Sequence, residues 1–115
     1  YARRRKASED AVKQLKNIDE LLQGGDSNVY YTSVQHTLKE FLGGRFNVPS
    51  AGMTTEDCVK VLTAAGIPSE LTEQTRQLFA VCDDARFAQK RLTVGEMKRV
   101  RIQLGELIQS LEQQA

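Results

Sequence analysis

Residues 7–44 read "ASEDAVKQLKNIDELLQGGDSNVYYTSVQHTLKEFLGG", and the spacing of their apolar side chains decides the class of fold. Ala11, Leu15, Ile18 and Leu22 recur at intervals of about four and three, which lines one face of an α-helix and no face of a strand. Gly24 and Gly25 close that helix, since glycine accepts the left-handed backbone of a helix C-terminus. Asp26 or Ser27 then caps a second helix by accepting hydrogen bonds from its free amides. Tyr30, Val34, Leu38 and Phe41 form its apolar stripe, and Gly43 with Gly44 is expected to end it. Two helices joined by so short a turn pack antiparallel.

Working outward, "RFNVPSAGM" (45–53) reads as a loop: Pro49 fixes its own backbone and biases Val48 toward extended geometry. Thr54 or Thr55 starts a short third helix with Glu56 and Asp57 in its first turn, where negative charge meets the positive end of the helix dipole. Val59, Leu62 and Ala65 are expected to face inward, and Gly66 to stop the helix. Pro68 opens a fourth helix with Leu71, Leu78, Phe79 and Cys82 on its buried side. Thr93 and Glu96 have the spacing of a capping box. The fifth helix follows with Met97, Val100, Leu104, Leu107 or Ile108, and Leu111 along one stripe. No strand pattern survives, and no second copy of the helix pair recurs at a period near 34 residues, so a solenoid is not indicated. The expectation is an all-α, compact, irregular bundle of about five helices: one domain over residues 7–115, preceded by a basic segment at 1–6.

A chain of 115 residues, 40% hydrophobic and 27% charged, has the size and balance of one folded domain with one core. Removing Arg3, Arg4, Arg5 and Lys6 from the 16 basic residues leaves 12 against 15 acidic, so the body carries −3. A nucleic-acid binder spreads cations over a face instead, because phosphate neutralisation supplies much of its affinity. No run approaches the roughly 20 apolar residues of a membrane span, and no signal-peptide pattern follows the leading cations. Cys58 and Cys82 lie at apolar helical phases and read as reduced, buried small hydrophobes; a bridge between them is geometrically open, but a domain with a core of this size does not need it.

Little in the chain points to chemistry. His36 is the one histidine, and its phase, about 200° from Val34, turns it to solvent and away from either thiol. Two isolated cysteines and one histidine lack the paired spacing of a zinc site. Asp83 and Asp84 point about 100° apart on a helix and do not share a proton or a metal. The glycine pairs follow helices, whereas phosphate cradles precede them. No enzymatic activity, cofactor or metal is expected. The sharper alternative is a helix-turn-helix nucleic-acid-binding domain built on "TTEDCVKVLTAAGIPSELTEQTRQLF" (54–79), but its second helix would bring Glu70 and Glu73 to the phosphates beside a single Arg76.

The first six residues, "YARRRK", have the form of the cytoplasmic border of a membrane helix, an aromatic among headgroups and cations held inside; an ordinary charged helix start reads equally well from these residues alone. Lys90, Arg91, Lys98, Arg99 and Arg101 make a second basic concentration, either a solvated helix face or one that rests on anionic lipid. Asp83 stands near a helix C-terminus, where the dipole disfavours it. It is therefore expected to pair with Arg86 or Arg45 and fix the 83–88 loop with Phe87 tucked into the core, a structural loop first and a partner-binding one second.

Three blocks in series, "VYYTSVQHTLKEFLGGRFNVP" (29–49), "MTTEDCVKVLTAAGIP" (53–68) and "CDDARFA" (82–88), resemble the C-terminal helical domain of BatD, the aerotolerance or oxygen tolerance family. The similarity extends in order over nearly all of residues 7–112. It implies a parent protein with an N-terminal signal, a large β-rich extracytoplasmic portion, one membrane helix, and this domain as the tail on the cytoplasmic face of the bacterial inner membrane. Arg3 to Lys6 would then be the stop at the inner face. The implied partners are membrane-associated proteins of the same operon, MoxR-type ATPases and von Willebrand factor A-like proteins. The implied work is envelope or oxidative stress tolerance through protein–protein interaction, without catalysis.

Overall fold

The computed structural model describes residues 2–24, 26–87 and 93–114. Five helices run in chain order: α1 (Ala2–Leu21), α2 (Ser27–Phe46), α3 (Thr55–Ala64), α4 (Ser69–Phe87) and α5 (Val94–Glu112). The protein is an all-α bundle, and no strand occurs among the described residues. Its radius of gyration of 13.5 Å is that of a close-packed chain of this length, for which about 13 Å is expected.

Local chemistry sets most of the boundaries. Asp26 caps α2, its Oδ1 accepting from the amides of Asn28 at 3.0 Å and Val29 at 3.3 Å. Thr54 and Asp57 form a reciprocal capping box at α3, at 3.1 and 3.0 Å. That bonding, backbone contribution first, holds the Asp57 carboxyl below its ordinary range. Gly66, at φ +76°, takes the left-handed turn that stops α3. At α5 half of the expected box forms: Thr93 Oγ1 accepts from the Glu96 amide, while the Glu96 carboxylate takes the Thr93 hydroxyl.

α2 is the central element and touches all four other helices. Tyr30, Tyr31, Val34, Leu38, Phe41 and Leu42 are essentially without solvent exposure. Around them pack Ile18 of α1, Cys58 and Leu62 of α3, Leu78, Phe79 and Cys82 of α4, and the Met97-to-Leu111 stripe of α5. Tyr30 and Tyr31 meet edge to face, with ring centroids 5.5 Å apart. The Tyr30 hydroxyl donates to the Met97 carbonyl at 2.8 Å, tying α2 to the start of α5. Among the described residues the buried Tyr31 hydroxyl has no partner.

Four expectations are corrected here. α1 begins at Ala2 and not at Ala7, so Arg3 to Lys6 lie in its first turns. α2 passes through Gly43 and Gly44 and ends on Asn47, which takes the left-handed conformation at φ 57°. The glycines serve packing: a Cβ on Gly44 would stand 2.7 Å from the Cβ of Ala7, and one on Gly43 would stand 3.0 Å from the Val48 carbonyl oxygen. Ala65 is exposed, because α3 turns its Cys58–Leu62 edge inward. Phe87 is 75% exposed. The inward stripe of α4 runs through Leu78, Cys82 and Ala85, and position 87 lies about 160° off that line at Ala85.

Candidate functional site

The contact of Ala7 with Gly44 lays the basic turns of α1 over the last turn of α2. Arg3 and Arg4 there line a recess of about 300 Å³ together with Gly44, Arg45, Phe46 and Asn47. Lys6 stands farther along, its Nζ 4.0 Å from Asp10. Beside it, Arg3, Lys6, Ala7, Phe41 and Gly43 border a second groove of about 270 Å³ between the same two helices. The Arg45 Nη2 donates to the carbonyl oxygens of Glu112, at 3.1 Å, and Gln114, so it seals the C-terminal end of α5 against α2. Partial burial and then the nearby charge of Arg4 lower its affinity for a proton.

Asp83 and Arg86 come together, but through a third residue. Gln35 of α2 is 5% exposed; its Nε2 donates to Asp83 Oδ1 at 2.7 Å and to the Phe79 carbonyl at 3.3 Å, while its Oε1 accepts from Arg86 Nη1. The expected direct pairing of Asp83 with Arg86 or Arg45 is thus replaced by an amide bridge, and Arg45 is committed to α5. Phe87, expected in the core, stacks instead under the Arg86 guanidinium, 5.4 Å from ring centroid to charge centre. Gln35 was within reach of pattern reasoning, since it follows Tyr31 by one helical turn and precedes Leu38 by three residues, on the core side of α2.

The second basic concentration is divided. Lys98 and Arg99 are exposed on α5, whereas Arg101 makes a two-pronged bond to Asp19 of α1, Nε to Oδ1 at 2.9 Å and Nη2 to Oδ2 at 3.3 Å. Its charge is engaged between helices, and Lys98 and Arg99 remain as the exposed pair among the described residues of this group. Lys90 and Arg91 lie outside the described residues, as does Tyr1.

His36 is exposed, its Nε2 2.9 Å from Glu40 Oε1, and Glu40 also accepts from Gln14 of α1 at 2.6 Å. Both cysteines are buried and unpaired with each other. Burial, and then the charge of Asp83, pushes the Cys82 thiol up to about 12, and burial raises Cys58 as well. An attacking thiolate needs the opposite shift. Among the described residues no three His, Cys, Asp or Glu side chains gather as metal ligands. On α4, Arg76 is bound to Glu56 at 2.6 Å and lies 3.6 Å from Glu73, so the one cation of a recognition-helix reading is already paired. None of the described helices is long and apolar enough to cross a membrane.

Fold and surface together define an all-α bundle whose leading helix carries four consecutive cations, Arg3 to Lys6, in its first turns. Comparison with family models, curated proteins and solved structures finds no match.

Proposed function

We propose that this chain is a non-catalytic cytoplasmic interaction domain of a single-span membrane protein, held at the inner face of the membrane by the leading end of α1. The observation that carries the reading is the placement of Arg3, Arg4, Arg5 and Lys6 in consecutive positions of a helix docked onto a body of net −3. A cationic cluster beside a membrane span is retained on the cytoplasmic side and gains about 1 kcal/mol per cation near anionic lipid. The resemblance of the 29–49, 53–68 and 82–88 blocks to the BatD tail supports the same arrangement. It extends the proposal to MoxR-type ATPases and von Willebrand factor A-like proteins as partners in envelope or oxidative stress tolerance.

The inner chemistry agrees with a binding role. Thiols held protonated by burial are ill suited to nucleophilic attack. The groove beside Lys6, Phe41 and Gly43 and the exposed Phe87 offer partner-facing surface. The test is a capture experiment from detergent-solubilised membranes with this domain as bait. Recovery of a MoxR-type ATPase or a von Willebrand factor A-like protein, reduced by charge-reversing substitutions at Lys6 and Arg3, is the expected result. Recovery of neither, at bait concentrations that hold the fold, contradicts the proposal.

A further inference from the structure

Two helices bring three arginines around one recess. Arg3 and Arg4 come from the first turn of α1 and Arg45 from the last turn of α2, and the methyl-on-glycine contact of Ala7 with Gly44 is what lets these turns approach. The remaining walls are Gly44, Phe46 and Asn47. Among the described residues none of the three arginines has a carboxylate oxygen within 4.0 Å. The Arg45 Nη2 is fixed by the carbonyls of Glu112 and Gln114 at the end of α5, while its Nε and Nη1 have no acceptor among the described residues and are not buried. Glu112 is the carboxylate whose field reaches Arg45, and Arg4 opposes it. Like charges converge on an open recess whose held guanidinium still has donors to give.

We propose that this recess binds a phosphate group, as a monoester or diester, between the guanidinium groups of Arg3, Arg4 and Arg45. Planar forks with several N–H donors match the tetrahedral oxygens of phosphate better than a single carboxylate, and an anion here relieves the repulsion that the arginines impose on one another. A phospholipid headgroup and a soluble phosphate ester present the same chemistry. The site is independent of the partner reading above and stands even if no ATPase is captured.

The arginine Nε–Hε resonances are followed by NMR as inorganic phosphate is added to the whole chain, and vesicle co-sedimentation is measured with phosphatidylcholine containing phosphatidylglycerol at roughly one lipid in three. The variant R3Q/R4Q removes two exposed cations without touching the α5 anchor; K98Q/R99Q removes the same charge elsewhere. Wild type and K98Q/R99Q are expected to bind alike, and R3Q/R4Q to weaken by about 30-fold, the electrostatic worth of two cations near an anionic surface. Loss confined to R3Q/R4Q in the vesicle arm assigns the headgroup as source; the same loss with inorganic phosphate alone assigns a soluble ester. Equal weakening of both variants, or no response of wild type to either probe, overturns the proposal.

Discussion

Substituting Gly44 with alanine sets two calculable effects against each other. In a helix interior alanine is favoured over glycine by about 1 kcal/mol, so propensity alone predicts a more stable protein. The new Cβ, however, would stand 2.7 Å from the Ala7 Cβ, about 1 Å inside an ordinary carbon–carbon contact. Ala7 has no rotamer with which to yield, because its Cβ is fixed to the α1 backbone. α1 must therefore lift from α2, at the cost of roughly 1–3 kcal/mol that overpacking usually brings. Only Ala7, Ala11 and Ile18 of α1 are buried, so the helix gives at this point and not throughout. The net expectation for G44A is a loss of about 1 kcal/mol, a fall in Tm of about 4 °C for a chain of this size. In the double variant A7G/G44A the methyl is moved from one helix to the other and the contact is restored, so the double-mutant cycle should show favourable coupling of about 1 kcal/mol or more. Urea and thermal unfolding followed by circular dichroism read both quantities. A G44A protein whose Tm rises by about 4 °C, with no coupling to position 7, would refute the close approach of α1 and α2.

Three further outcomes follow from the interior. Gln35→Leu leaves Asp83 and Arg86 half-buried without their bridge and should cost about 1–3 kcal/mol in urea unfolding; an unchanged midpoint would show the bridge to be dispensable. Tyr30→Phe loses the 2.8 Å bond to the Met97 carbonyl and should cost about 1 kcal/mol, whereas Tyr31→Phe removes a hydroxyl with no partner among the described residues and should be neutral or stabilising; equal losses from both would contradict the hydroxyl assignments. Tyr30, Tyr31 and Cys82 are each pushed up to about 12, burial being the first cause. Because the unfolded chain releases these protons nearer pH 9–10, it binds fewer of them than the folded chain in that range. Stability should then be intact below about pH 9 and fall as pH rises toward 12. A urea midpoint constant from pH 8 to 11 would contradict the burial of these groups.

The five helices were legible because their apolar stripes repeat with the helical period, and α2, with its Tyr30–Phe41 stripe, occupies the centre that this density of large apolar residues requires. Two helix ends differ from the sequence pattern, each for its own reason. Gly43–Gly44 has the local form of a helix stop, but the close approach of Ala7 makes it a packing surface, and no property of residues 43–44 alone distinguishes the two. Arg3 to Lys6 were separated from α1 because charge was read before helix propensity, although arginine and lysine are good helix formers. Long-range polar pairings were the least accessible part: Arg101 with Asp19 lies 82 residues away, and Arg45 with the end of α5 lies 67 and 69 residues away. Such bonds depend on the three-dimensional register of helices, which a one-dimensional pattern does not contain. Asp83 needed a partner, as dipole reasoning required, but the partner is a neutral amide. Phe87 failed because apolar character was weighed above phase.

The proposed place of this bundle is the inner face of a membrane, tethered through α1. The most direct measurement is fractionation of the full-length native gene product, followed by protease digestion of intact and opened spheroplasts. Sedimentation with the inner membrane, release by detergent and not by high salt, and cleavage of this domain only after the spheroplasts are opened are the expected results. Recovery of the full-length protein in the soluble fraction, or digestion of this domain in intact spheroplasts, would contradict it.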